Sequence, residues 1–171
     1  MKMNNLKLVH YPNPILDKPL EIVDIKNPGF DPVQLKSDMI NLMLLERGIG
    51  LSANQVGLNK TLFVMGDSHA NVTLCINPKF SADGLGDMVE DYEGCLSFPG
   101  VFVKITRPRK ITAEFYNEKL ELVVQELEDY TARCYMHELD HLLGITMKDR
   151  VSRLRWDMAV KKSKKLLRKS A

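Results

Sequence analysis

The stretch VFVKITRPRKITAEFYNEKLELVV, Val101 to Val124, runs shortly ahead of YTARCYMHELDHLLG, Tyr130 to Gly144, and these two segments decide the fold. From Val101 to Tyr116 the apolar residues alternate around Ile105, Ile111, Ala113 and Phe115, the period of half-buried strands. Asn117-Glu118-Lys119 then joins Ala113–Tyr116 to Leu120–Val124 as a hairpin, so neighbouring strands run antiparallel. Past Val124 the period changes. Tyr130 to Leu143 reads as a helix, closed by Gly144.

Upstream, Thr61–Met65 and Val72–Ile76 are short apolar runs between turn residues and read as strands. Val33, Leu35, Met39, Ile40, Met43 and Leu44 recur at helical steps from Pro32 to Arg47, with Gly48 as the stop. Prolines at 12, 14, 19, 28 and 32 keep the segment before this helix extended, so it should wrap around the rest. Downstream, Ser152–Arg168 reads as a last helix with Leu154, Met158, Leu166 and Leu167 on its apolar edge. The expectation is an α+β fold, with antiparallel sheets around a central helix and one further helix near each end. At 171 residues, with 44% hydrophobic and 27% charged content, one domain over 1–171 can bury its own core.

Three cysteines, Cys75, Cys95 and Cys134, make a disulfide framework improbable, so each thiol serves packing or chemistry. No apolar core follows Lys2 and Lys7, and no run of about 18 apolar residues occurs, which points to the cytoplasm and away from a membrane. Residues 150–171 hold nine Lys or Arg against Asp157 alone, a charge of about +8 that leaves about −6 elsewhere. That basic end suits a polyanion or plain water.

His137-Glu138-Leu139-Asp140-His141 carries the chemistry. Four-residue spacing on a helix stacks both imidazoles on one face, where their nitrogens can converge on an ion. Glu138 flanks them and can take a proton from a water activated there. A catalytic metal needs a third protein ligand and an open position. Cys134 lies on the same helix, but side chains tilt toward the helix N-terminus and carry its sulfur away, so it reads as buried packing. Cys95, in Glu93-Gly94-Cys95-Leu96-Ser97, can approach from across the fold and is the better ligand. Cys75 reads as core; His10 and His69 read as surface histidines. In Gly48-Ile49-Gly50-Leu51-Ser52-Ala53-Asn54-Gln55 the glycine pair follows a helix instead of a strand, which argues against a nucleotide cofactor. Gly48 is accounted for as a helix cap, and the Gln55 amide is a suitable donor to a developing oxyanion.

Three of these stretches, in order and spacing, resemble the motifs of peptide deformylases: Gly48–Gln55, Glu93–Ser97 and His137–His141. The likeness extends from Tyr11-Pro12 through Arg107 to a C-terminal helix like that of bacterial type 1 members. It implies removal of the formyl group from the N-terminal formyl-methionine of nascent polypeptides, releasing formate. It also implies that Cys95, His137 and His141 hold one divalent metal, physiologically Fe(II) and often replaced by Zn(II) or Ni(II), with Glu138 moving protons. Gln55 and the Leu96 N–H would hold the formyl oxygen, Gly50 would position the peptide, and Ile49 would line the methionine pocket. The basic helix, 151–171, would contact the ribosome.

Ser52, Asn54, Met136 and Phe102 depart from the usual pattern, which bears on peptide recognition and suggests a divergent or phage source. Glu93 and Arg107 read as an ion pair bracing the Cys95 loop. Two other functions share some of these features. A zinc endopeptidase would not want Cys95 as its third ligand, and a structural-zinc module that binds RNA would have no use for Glu138.

Overall fold

The structure, a computed structural model, describes residues 6–82 and 87–168, leaving out the side chains at 166 and 167. It holds α1 (Pro32–Leu45), α2 (Asp129–Leu142) and α3 (Arg153–Leu167). Seven strands accompany them: β1 (Gly50–Ser52), β2 (Leu62–Gly66), β3 (Val72–Ser81), β4 (Met88–Cys95), β5 (Phe98–Pro108), β6 (Lys110–Tyr116) and β7 (Leu122–Glu128). One sheet runs β1-β2-β3-β6-β7 and a second pairs β4 with β5; every pairing is antiparallel. The α+β class, the antiparallel sheets and the three helices are as the sequence predicts.

Local chemistry explains the boundaries. Asp31 caps α1, accepting from Val33 N at 2.9 Å and Gln34 N at 3.1 Å, and Pro32 follows at the first helical position. At the other end the sequence reading needs correction. The left-handed residue that stops α1 is Arg47, φ 58°, while Gly48 N bonds back to Met43 O at 2.8 Å. Gly48 instead packs close against Leu96: a Cβ there would lie 2.7 Å from Leu96 Cδ1, and that side-chain tip would have to shift.

The alternating run from Val101 to Tyr116 is two strands, not one. It breaks at Arg109, sending β5 to the small sheet and β6 to the large one. The alternation survives the break because each half buries one face, Val101, Val103 and Ile105 in β5 and Ile111, Ala113 and Phe115 in β6. Strand β4 escapes the sequence reading because most of its positions are exposed, and β1, though buried, because it is only three residues long.

Helix α2 crosses the large sheet and is buried nearly all round. Tyr135 anchors it, its ring edge-on to Phe63 at 5.2 Å and its hydroxyl 2.8 Å from Lys79 O and 3.0 Å from Glu114 O. The segment before α1 does wrap: Val9 N donates to Gln55 O at 2.7 Å, Tyr11 N to Ser97 O at 3.0 Å and Leu20 N to Leu142 O at 2.9 Å. It thereby ties together the three stretches that matter most.

Helix α3 forms where expected, but on a different face. Leu154 and Met158 are 71% and 64% exposed, while Trp156, Ala159 and Val160 pack with Val101, Val103 and Ile105 of β5. The predicted partners Leu166 and Leu167 have side chains outside the described residues. Trp156 meets Phe98 edge-on at 5.5 Å, and one bulky aromatic contact outweighs two flexible side chains in choosing the buried stripe.

Candidate metal centre

Cys95 lies at the end of β4, where the register slips: Gly94 pairs with Phe102, yet Cys95 pairs with Phe98. Such an irregularity re-aims a side chain, here toward α2. On α2, His137 and His141 stand one turn apart, their rings 5.1 Å between centroids. Ligand atoms of Cys95, His137 and His141 all lie within 4.8 Å of one another, and Cys95 Sγ is 3.2 Å from His141 Nε2. Among the described residues this is the one such cluster, so one thiolate and two imidazoles face a common point. Cys134 is turned elsewhere, its Sγ 3.5 Å from Ile49 O, and Cys75 is buried in the main core.

Glu93 organises the centre. It is 5% exposed, and its carboxylate accepts from Arg107 Nε at 2.6 Å, Arg107 Nη2 at 2.9 Å and Arg133 Nη1 at 2.8 Å. The expected Glu93–Arg107 pair is therefore present, but it does more than brace a loop. Glu93 Oε2 is also 2.9 Å from His137 Nδ1, which leaves His137 Nε2 to face the cluster. Burial alone would raise the Glu93 pKa; the hydrogen bonds from Arg107 and His137 outweigh it and hold the group at about 2. Arg107 Nη1 reaches Asp140 Oδ2 at 2.9 Å, and Arg150 pairs with Asp140 in turn. The sequence reading missed Arg133 and Asp140 as parts of this network. An arginine four positions after the acidic helix start Asp129, and the acidic residue inside the motif, were the available signals.

Gln55 sits on a short 3-10 turn, Ala53–Val56. Its Oε1 accepts from Ser52 N at 2.9 Å, which points Nε2 toward Cys95 Sγ at 3.4 Å and Ser97 Oγ at 3.1 Å. The Ser52 hydroxyl lies 2.8 Å from Asn54 Oδ1 and 2.9 Å from Gln55 Oε1, and Asn54 Nδ2 donates to His141 O at 2.8 Å. Ser52 and Asn54 are fully buried, so these two departures support Gln55 and α2 from behind.

Glu138 is 4% exposed, and its Oε2 has no hydrogen-bond partner. Burial pushes its pKa up to about 7, with nearby His137 pulling it down. Gly50 makes room for this carboxylate, since a Cβ at Gly50 would lie 2.7 Å from Glu138 Cδ. A donor set of one sulfur and two nitrogens, half-buried at Cys95 and His137 and fully buried at His141, beside an orphaned carboxylate oxygen, suits a divalent cation with an open position. The centre forms the floor of a cavity of about 480 Å³ whose walls include Ile49, Gly50, Leu96, Phe102 and Tyr130. His10 lies on its rim; His69 is exposed in a distant turn.

The family model described as Polypeptide deformylase matches residues 5–156. A peptide deformylase of Aquifex aeolicus is 39% identical over 166 residues, covering 94% of this chain and 96% of that protein. Among solved structures, a peptide deformylase of Synechococcus elongatus in complex with actinonin superposes with a TM-score of 0.81 at 32% identity, covering 96% of this chain and 88% of the other. One from Legionella pneumophila gives 0.84 at 29% identity, covering 96% of both. These relatives are cellular, and they lend no support to a phage source.

Proposed function

This chain belongs to the peptide deformylase family, and on that premise we propose how its residues divide the reaction. It is a metal-dependent amidohydrolase that removes the formyl group from the N-termini of nascent polypeptides. Cys95, His137 and His141 hold the divalent metal, Fe(II) physiologically, with Zn(II) and Ni(II) as substitutes that a borderline-soft donor set also accepts. When bound, the metal supplies Lewis-acid polarisation and makes a water acidic at neutral pH.

Glu138 carries the proton. Its buried carboxylate accepts one as water adds to the formyl carbon and returns it to the amine nitrogen as the C–N bond breaks, leaving formate and a free N-terminus. Gln55 Nε2 and the backbone N–H of Leu96, at the turn between β4 and β5, donate to the formyl oxygen as charge builds on it. The backbone at Gly50 holds the peptide, and Ile49 gives the methionine side chain an apolar wall.

The observation that carries this division is the juxtaposition of three ligand atoms within 4.8 Å with a buried, partly unpartnered carboxylate one residue from a ligand. The test compares formate release from formyl-Met-Ala-Ser by the parent and by Glu138→Gln under anaerobic conditions. Expected is a loss of roughly 100- to 10,000-fold with metal content unchanged. Retained activity would remove Glu138 from the role.

No described helix is long and apolar enough to cross a membrane. The setting that fits the substrate is the cytoplasm, at the ribosome. Exposed Lys161, Lys162, Lys164 and Lys165 on α3 give a surface for ribosomal phosphates, the opposite side of the helix being committed to β5.

A further inference from the structure

A second cavity, about 350 Å³, adjoins the first and shares Tyr92 and Phe102 with it. Its remaining walls are Glu90, Val103, Lys104, and Arg155 and Ala159 of α3. Register explains how it is built. Tyr92 pairs across the strands with Lys104 and Gly94 with Phe102, so alternation places Tyr92, Phe102 and Lys104 on one face of the small sheet. Gly94 leaves room for the Phe102 ring, since a Cβ there would lie 2.9 Å from Phe102 Cδ1. The result is a pair of large aromatic side chains, 59% and 60% exposed, on a floor that runs from the metal centre toward α3.

Charge follows the same path. Lys104 Nζ sits 5.3 Å over the Tyr92 ring, and Arg155 is drawn to Glu90 at 3.1 Å. Two cations face one carboxylate, and Lys104 is the one that has an aromatic ring in place of a carboxylate among the described residues.

We propose that this groove is a downstream substrate site, which takes the extended nascent chain beyond its third residue and favours acidic side chains there. The inference rests on the deformylase reading, because only a substrate fixed by its formyl end at the metal centre has a tail to lead past Tyr92 and Phe102, the residues the two cavities share. Continuity with that cavity selects the occupant. Aromatic faces tolerate any extended backbone, and the excess positive charge sets the preference.

The test uses metal-loaded enzyme and three substrates: formyl-Met-Ala-Ser, and the same tripeptide extended by Asp-Glu-Asp or by Lys-Arg-Lys. The reading is the ratio of kcat/KM for the acidic over the basic hexapeptide within each protein, so any change in folding or metal loading cancels. The parent should show a ratio of about three to ten, falling as salt is raised. Lys104→Glu should bring the ratio to one or below, and Lys104→Arg should keep it. Calorimetric titration of the two deformylated hexapeptides should rank their affinities in the same order. A ratio near one in the parent, with the tripeptide hydrolysed normally, would overturn the groove and leave the deformylase reading standing. A ratio unchanged by Lys104→Glu would also overturn it. No formate from the tripeptide would overturn both.

Discussion

Replacing Glu93 by Gln keeps the size of the side chain and removes the one carboxylate that joins two arginines to a metal-binding histidine. Four donors converge on it within 2.6–2.9 Å: two from Arg107, one from Arg133 and His137 Nδ1. A glutamine offers one acceptor oxygen and turns an NH2 toward donors. Arg107 would keep Asp140 at 2.9 Å, but Arg133 would keep only the carbonyls of Ile105 and Val89 at 2.8 and 2.7 Å. Stripping the partner from a buried charge costs about 3–5 kcal/mol. With a urea slope of about 2 kcal/mol/M, the unfolding midpoint of the metal-free protein should fall by about 1.5–2.5 M. Metal affinity should fall about 10- to 100-fold, because the His137 ring then loses its carboxylate partner. Urea titration followed by circular dichroism and competition with a chelator measure the two effects. The exposed pair Arg109–Asp129 is the control, since Arg109→Gln should barely move the midpoint. A midpoint shift below about 0.5 M for Glu93→Gln, with metal affinity intact, would refute the claim that Glu93 organises the centre.

Gly50→Ala should cost far more activity than stability, because its methyl group displaces the Glu138 carboxylate while β1 can still pair with β2; formate release and a thermal melt on the same sample separate the two. Gln55→Ala should lower kcat by about 100- to 1,000-fold through loss of the proposed oxyanion donor. Part of that loss should appear as weaker metal binding, since Gln55 also contacts Cys95 and Ser97, and metal analysis of the purified variant shows how much. Reversing Lys161, Lys162 and Lys165 together to Glu should abolish salt-sensitive sedimentation with ribosomes and leave hydrolysis of formyl-Met-Ala-Ser unchanged. Deleting α3 outright is the poorer test, as it would bare Val101, Val103 and Phe98 in β5.

The histidine pair could be read from sequence because helical spacing is local: four residues on any straight helix put two imidazoles on one side. The antiparallel class was legible for a similar reason, in the alternation of β6 and the short turn at Asn117–Lys119. The stop of α1 was legible in place but not in mechanism, since the left-handed position fell on Arg47 and Gly48 served the contact with Leu96.

Pattern alone therefore determined the helices, most of the strands, the class and the chemistry carried by side chains close together in the chain. What it left open was everything decided by meetings between distant segments: the division of 101–116 between two sheets, the buried side of α3, and the roles of Glu93, Arg133, Ser52 and Asn54. Those depend on which surfaces compete for burial and on where desolvated charges find partners 14, 40 or 44 residues away. A periodicity records that a residue faces inward; only packing decides what it meets there.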